Sequence, residues 1–296
     1  MYDTTKPYIG KLLRLVEKCR GNIPASTDGI GTKGIYHWKQ RTFRNAVIDS
    51  LAMNLNDLVV MRAKATGLNN HIMVPREDEE AILDIVKNIS EECCRRNIKI
   101  LSGETAVHDD MSGVEISMSI IGEYIGKKQE NKFGIEDYLI GIKSSGLHSN
   151  GFTRVREVFK NEFREDFTKP TIIYYDAVLE LLGKFDVHGM VHVTGGAFTK
   201  IKPYLNGNDV LFSRKDGFAP QDIFYDLYKK DIPDEEMYKT FNCGIGFLLS
   251  VNPNDAKQVL LDLQSQNLEA RVVGKTVKGN NNVKIESMFS HKKVVF

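Results

Sequence analysis

Two kinds of periodicity alternate along this chain, and the alternation occurs twice. In the first half, Ile48, Leu51, Ala52, Leu55, Leu58 and Val59 recur at helical spacing. Ile82, Leu83, Ile85, Val86, Ile89 and Cys93 do the same within residues 77–96, whose acidic first turn suits a helix dipole. Residues 98–101 read as a short strand, and Val114, Ile116, Met118 and Ile120 alternate with polar residues as a second strand does. A polar stretch over 126–132 reads as a linker. Beyond it come strands over 138–143, 244–251 and 270–277, helices over 152–160, 172–182, 220–229 and 255–264, and a last strand after a turn at 279–282. An N-terminal helix is expected over 9–19. The pattern predicts an α/β (α+β) protein of two domains, residues 1–126 and 133–296, and 296 residues suffice for two.

Composition narrows the function classes. Hydrophobic residues make up 42% and charged residues 27%, and the formal net charge is +1, which favours neither nucleic acid nor an acidic membrane as partner. No run of eighteen apolar residues suggests a membrane span, and residues 1–18 lack the apolar core of a secretory signal, so a cytoplasmic protein is expected. Cys19, Cys93, Cys94 and Cys243 show no metal-ligand spacing and are expected as free thiols, with Cys243 a packing residue.

The densest chemistry lies in residues 26–33. Ser26, Thr27, Asp28, Gly29, Gly31, Thr32 and Lys33 put a carboxylate, hydroxyls, glycines and a lysine in one short segment. Glycines allow close approach of backbone N–H groups to an oxyanion, Lys33 offers positive charge, and Asp28 is a hard ligand suited to Mg²⁺. A polar turn before a strand is the ordinary alternative. Asp57 falls near the end of an otherwise buried helix, and Glu104 directly after the strand at 98–101. Three acids at element ends can converge from distant sequence, although each alone also reads as a cap or a solvated loop acid. His188 and His192 are four apart, but the strand-like residues between them argue against a helical zinc pair.

Six segments, 26–33, 56–60, 103–106, 144–151, 188–196 and 236–246, occur in the order found in the phosphoribosylformylglycinamidine cyclo-ligase family, which the chain resembles from about residue 9 to about 273. The stretch Met237, Tyr238, Thr240, Phe241, Asn242, Gly244, Gly246 resembles that family more than its ATP-using relatives. The resemblance implies ATP-dependent ring closure of formylglycinamidine ribonucleotide, a small-molecule substrate. It also implies a homodimer in which the N-terminal sheets pair across the contact, and a C-terminal mixed sheet packed with helices. It implies Asp28, Asp57 and Glu104 as Mg²⁺ ligands, with Asp49 a weaker candidate, and Lys33 stabilising charge at the transferred phosphoryl group. Ser26, Thr27, Gly29, Gly31, Thr32, Asn56, Gly103 and Thr105 would line the ATP site. Ser144, Ser145, Ser149, Asn150, Thr171, Thr194, Gly195 and Gly196 would hold the ribonucleotide, with His192 and His148 as acid–base groups. His37, His71, His108 and His291 carry no motif and are expected at the surface.

Departures from the family qualify this reading. The chain runs from its first helix through Gly21 and Pro24 directly to Ser26, without the family's glycine-rich segment, so a more open ATP site with a raised KM is expected. Lys11 or Lys18 would be left to reach the nucleotide. Ile172 and Asp176 stand where the family commonly has arginine and lysine, Ala197 replaces a third glycine, and the loop after Glu104 is shorter. Two other readings remain: a small-molecule kinase of the same superfamily, and a non-catalytic nucleotide-binding dimer.

Overall fold

The computed structural model describes residues 9–19, 21–126 and 129–296, beginning with helix α1 (Ile9–Val16) and a 3-10 turn (Glu17–Cys19). Lys11 is exposed, while the Lys18 side chain and linker residues Lys127 and Lys128 lie outside the described residues. By internal contacts, residues 22–126 and 152–175 form one unit, and residues 9–19, 129–151 and 176–296 form the other.

The N-terminal unit carries β1 (Ala25–Gly29), α2 (Gly34–Gln40), α3 (Phe43–Val60), β2 (Ala63–Val74), α4 (Glu79–Arg96), β3 (Lys99–Val107) and β4 (Glu115–Tyr124). Its strands form one sheet in the order β1-β4-β2-β3. β4 pairs antiparallel with β1 and β2. β2 and β3 run parallel, as a helical crossover through α4 requires. Asp78 starts α4 by accepting from the Ala81 N–H at 3.1 Å, and Asn97 ends it at φ +55°. α3 packs on β1, β4 and β2, so one sheet face is covered. It is buried nearly all round, which is why its apolar positions outnumber a simple stripe. On the other face the alternate residues of β4 are only half-buried among the described residues, and β3 is solvent-exposed along almost its whole length.

Helix α2 and strand β2 were not expected from the sequence, and two further segments differ from the expectation. Residues 26–33 are not one loop: Ser26 to Gly29 belong to edge strand β1, and only Gly31–Lys33 turn, in a 3-10 geometry. Glu104 does not follow a strand but sits within β3, because pairing with β2 continues to Val74 opposite Val107.

Helix α5 (Phe152–Phe159) also belongs to the N-terminal unit. Tyr36 of α2 meets Phe152, Phe163 and Phe167, with ring centroids 5.7, 5.7 and 4.9 Å away, and this aromatic cluster fastens residues 152–167 there.

The C-terminal unit contains β5 (Tyr138–Lys143), α6 (Tyr175–Leu182), β6 (Val187–His192), β7 (Asn208–Phe212), α7 (Asp222–Tyr228), α8 (Asp234–Thr240), β8 (Ile245–Val251), α9 (Pro253–Ser265), β9 (Ala270–Lys278), β10 (Val283–Glu286) and β11 (Lys293–Val295), with Tyr175 itself counted in the other unit. Its seven strands are ordered β11-β10-β7-β9-β5-β8-β6, and the sheet is mixed because β10 and β7 are parallel. Every residue of β8 is buried, as a central strand covered on both faces must be. α6 starts three residues later than the sequence suggests, because Asn56 Oδ1 accepts the N–H groups of Tyr174 and Tyr175 and fixes 172–174 as an extended lead-in.

Candidate active site

β1 delivers the polar segment to the sheet edge. Asp28 is exposed, and its carboxylate accepts from the Gly29 N–H at 2.8 Å, while Asn54 of α3 donates to its carbonyl. Thr27 bonds Ser119 across the strands at 2.9 Å, and Ser26 is buried. Gly31 has φ +54°, a conformation that favours glycine, and Thr32 is half-buried beside it. A Cβ on Gly29 would lie 2.1 Å from Glu115 Oε1, so that glycine makes room for a carboxylate. Glu115 Oε1 accepts from the Ile30 N–H at 3.0 Å. Burial raises the Glu115 pKa, Asp28 nearby adds to this, and its hydrogen bonds to Ser117, Ile30 and Gly31 oppose it. Sequence reasoning missed Glu115; its only signal was an acid in the strand pattern facing the glycines.

Lys33 does not face solvent. It is completely buried, its ammonium 2.7 Å from Asp49 Oδ2 and donating to the Lys169 carbonyl at 2.7 Å. His37, expected at the surface, is also fully buried, with Nε2 2.9 Å from Asp49 Oδ2 and Nδ1 2.8 Å from Thr42 Oγ1. Burial alone would raise the Asp49 carboxyl, but Lys33 and His37 outweigh it and hold the pKa below the carboxylate range. Burial lowers the His37 pKa against the pull of Asp49, which keeps the ring neutral. Asp49 is thus an internal counter-ion rather than an accessible metal ligand. The sequence signal was a carboxylate on a helix apolar on every side, where a charge needs a partner.

The three carboxylates expected on Mg²⁺ are not gathered within one chain. Asp28 stands in register with Met118, Asn70 and Gly103, whereas Glu104 is in register with His71, Ser117 and Gly29. These are neighbouring rows, so Asp28 and Glu104 point to opposite faces, and three strand spacings of about 4.8 Å separate their edges by about 14 Å. Glu104 accepts from the Thr105 N–H, and Gly103 lies against the Asn70 side chain. Asp57 is half-buried, one turn beyond Asn54 on α3. The described residues contain no group of three His, Cys, Asp or Glu side chains able to hold a metal. Asn56 is fully buried and holds backbone groups of Ile172, Tyr174 and Tyr175. Thr171 donates from both N and Oγ1 to Asp49 Oδ1, at 2.7 and 2.6 Å.

In the C-terminal unit, residues 144–151 form a tightly tied turn between β5 and α5. Ser144 Oγ donates to Asn242 Oδ1 at 2.8 Å, and Asn242 Nδ2 donates to the Gly146 carbonyl at 2.8 Å. Ser145 N–H donates to Nε2 of His148, a buried residue at φ +59°. Ser149 and Asn150 are half-buried, and Asn150 Oδ1 lies against Gly195. Thr194 is buried, and Gly196 turns at φ +79° into a 3-10 helix (Ala197–Tyr204). Lys200, which sequence reasoning passed over, donates from Nζ to Thr194 Oγ1 at 2.6 Å. His192 is buried at the end of β6 and stacks on its register partner Phe247 at 6.2 Å. His188, on the same strand, is half-exposed and bonded to Asp137 at 2.7 Å. Cys243 is buried, and burial raises its thiol pKa well above the ordinary value, as a packing residue requires.

A four-stranded sheet unit carrying a polar glycine segment, followed by a mixed-sheet unit with a glycine-containing turn after its β5 strand, defines a two-part α+β protein of the AIR synthase-like fold. The model of "AIR synthase related protein, N-terminal domain" matches residues 13–124 and that of "AIR synthase related protein, C-terminal domain" matches 134–286. The chain belongs to this AIR synthase related family. It is 36% identical over 282 residues to the phosphoribosylformylglycinamidine cyclo-ligase of Clostridium perfringens, covering 89% of this chain and 84% of that one. It is 34% identical over 250 residues to the cyclo-ligase of Saccharolobus solfataricus, covering 82% and 76%. Among solved structures, hydrogenase maturation protein HypE in complex with ATP aligns with a TM-score of 0.68 at 13% identity, over 99% of this chain and 95% of that one.

Proposed function

We propose that this protein is an ATP-dependent cyclo-ligase that closes formylglycinamidine ribonucleotide to aminoimidazole ribonucleotide, forming ADP and phosphate in purine biosynthesis. The observation that carries this reading is the identity to curated cyclo-ligases across nearly nine-tenths of the chain. The γ-phosphoryl group of ATP passes to the formyl oxygen, and the substrate's own amine then attacks the formyl carbon. The C–O bond breaks, phosphate leaves with the oxygen, and the ring closes. Positioning and charge neutralisation supply most of the acceleration in such a transfer.

In this proposal residues 1–126 hold ATP and make the dimer contact, while 133–296 bind the ribonucleotide. Thr27, Asp28, Gly29, Gly31 and Thr32 present the nucleotide surface, supported by the exposed position of Asp28 on β1, with the buried Ser26 behind them. Lys33, sealed behind the turn, acts by holding the segment in shape. Gly103, Glu104 and Thr105 lie on the exposed edge strand β3. One Mg²⁺ cannot be shared by Asp28 and Glu104 of a single chain, so no catalytic step is assigned to that ion. Ser144, Ser145, Ser149, Asn150, Thr194, Gly195 and Gly196 receive the ribonucleotide, with His148 and His192 beneath them as proton-holding groups. Lys200 offers the cation that Ile172 and Asp176 do not. The exposed edge strand β3 supports the homodimer.

The test is incubation of purified protein with ATP and formylglycinamidine ribonucleotide. ADP and aminoimidazole ribonucleotide should form in equal amounts. ADP with a phosphorylated, unclosed product would establish a kinase instead, and nucleotide binding without turnover would establish a binding dimer.

A further inference from the structure

Two segments of the N-terminal unit that the sequence assigns to different ligands meet on one buried carboxylate. Asp49 Oδ2 takes the Lys33 ammonium at 2.7 Å from the nucleotide side. Asp49 Oδ1 accepts both the N–H and the hydroxyl of Thr171, at 2.7 and 2.6 Å. Lys33 also donates to the Lys169 carbonyl, so the lysine itself touches both segments. Seven residues further along α3, and so on the same helix face, Asn56 grips Ile172, Tyr174 and Tyr175. Asp49, Lys33, Asn56 and Thr171 are all buried.

We infer that Asp49 is a positioning residue that couples the turn Gly31–Lys33 to residues 168–175, so that nucleotide at the turn orders the second segment. This rests on the reading of residues 26–33 as the nucleotide segment. A buried ion pair resists separation, because either half left alone is an uncompensated charge. The turn therefore cannot shift without carrying Asp49, and Asp49 cannot shift without Thr171. Exposed contacts screened by water would transmit no such displacement. The chain passes into the C-terminal unit at Asp176, directly after this segment.

Hydrogen exchange on the full chain tests the coupling, with the non-hydrolysable analogue AMPPCP and Mg²⁺ as the probe and calorimetry to verify its binding. In the native protein the analogue should slow exchange over 168–175 by about threefold or more, as ordering of a locally opening segment does. The paired variant Lys33→Met/Asp49→Leu removes both charges together and leaves neither stranded. It should bind the analogue more weakly, because Lys33 shapes the turn; at analogue saturation, verified by calorimetry, residues 26–30 should be protected while the protection over 168–175 vanishes. Thr171→Val keeps both charges and the Thr171 N–H bond, so it remains informative if the paired variant does not fold; its protection should be intermediate. Equal protection of 168–175 in native and variant proteins would overturn the inference. Analogue binding to the native protein with no change over 168–175 would overturn it too, while leaving the nucleotide reading intact. No binding to the native protein would remove both.

Discussion

Lys200 and His37 give the residue-scale predictions. Lys200→Ala removes a cation bonded to Thr194 in the proposed substrate turn. It should raise KM for the ribonucleotide about tenfold, the weight of one charge-assisted hydrogen bond, with kcat and the KM for ATP little changed. Initial rates with each substrate varied in turn decide this, and an unchanged ribonucleotide KM excludes Lys200 from the site. His37 is held neutral by burial, its folded pKa below the ordinary 6.5. The unfolded chain therefore takes up a proton first as pH falls below about 6.5, and stability declines by up to about 1.4 kcal/mol per pH unit until the folded pKa is reached. Urea midpoints from pH 7.5 to 5 should fall less steeply in His37→Gln than in the native chain; parallel slopes would disprove the assignment. The motif residues were legible in the sequence because each carries its chemistry in its type. Their burial was not. Lys33 looks like a phosphate ligand by composition, and only the tertiary path of α3 brings Asp49 against it.

At the scale of elements, most of the α/β alternation could be read directly: β5 was expected over 138–143 and is Tyr138–Lys143. Boundaries failed where a distant side chain decided them. α6 begins at Tyr175 rather than 172 because Asn56 reaches it from α3, and no local propensity records that. Strands β1, β2, β7 and β11, the second half of β3, and helices α2 and α8 were not expected from the sequence; β1 and β3 are edge strands, where no buried face imposes alternation. Asn56→Ala should leave the Tyr174 and Tyr175 N–H groups and the Ile172 carbonyl without the amide that serves them. A loss of about 2–3 kcal/mol in urea-derived stability is expected, the cost of unsatisfied buried groups. A loss below about 0.5 kcal/mol, the range of surface changes, would mean those groups find other partners.

For the whole molecule, the exposed edge of the N-terminal sheet is the feature that the proposed homodimer would cover. Ile100, Leu101 and Val107 of β3 are 45, 53 and 52% exposed, and Leu83 and Val86 of α4 are also exposed. An edge of this kind invites pairing. Sedimentation at micromolar concentration should give about twice the chain mass, and Leu101→Lys should shift it toward the monomer. A native monomer would contradict the dimer.

That exposed edge also makes dilution a variable. In the proposed homodimer the chain completes its apolar cover with a second copy of itself, so part of its folding free energy would depend on how many copies surround it. Its melting temperature should then climb with concentration, whereas the burial inside the C-terminal unit contributes an amount that concentration does not touch. In a crowded extract the chain would be robust, and in a nanomolar assay it would fray first along β3, so activity per molecule would fall on dilution before any inhibitor was added.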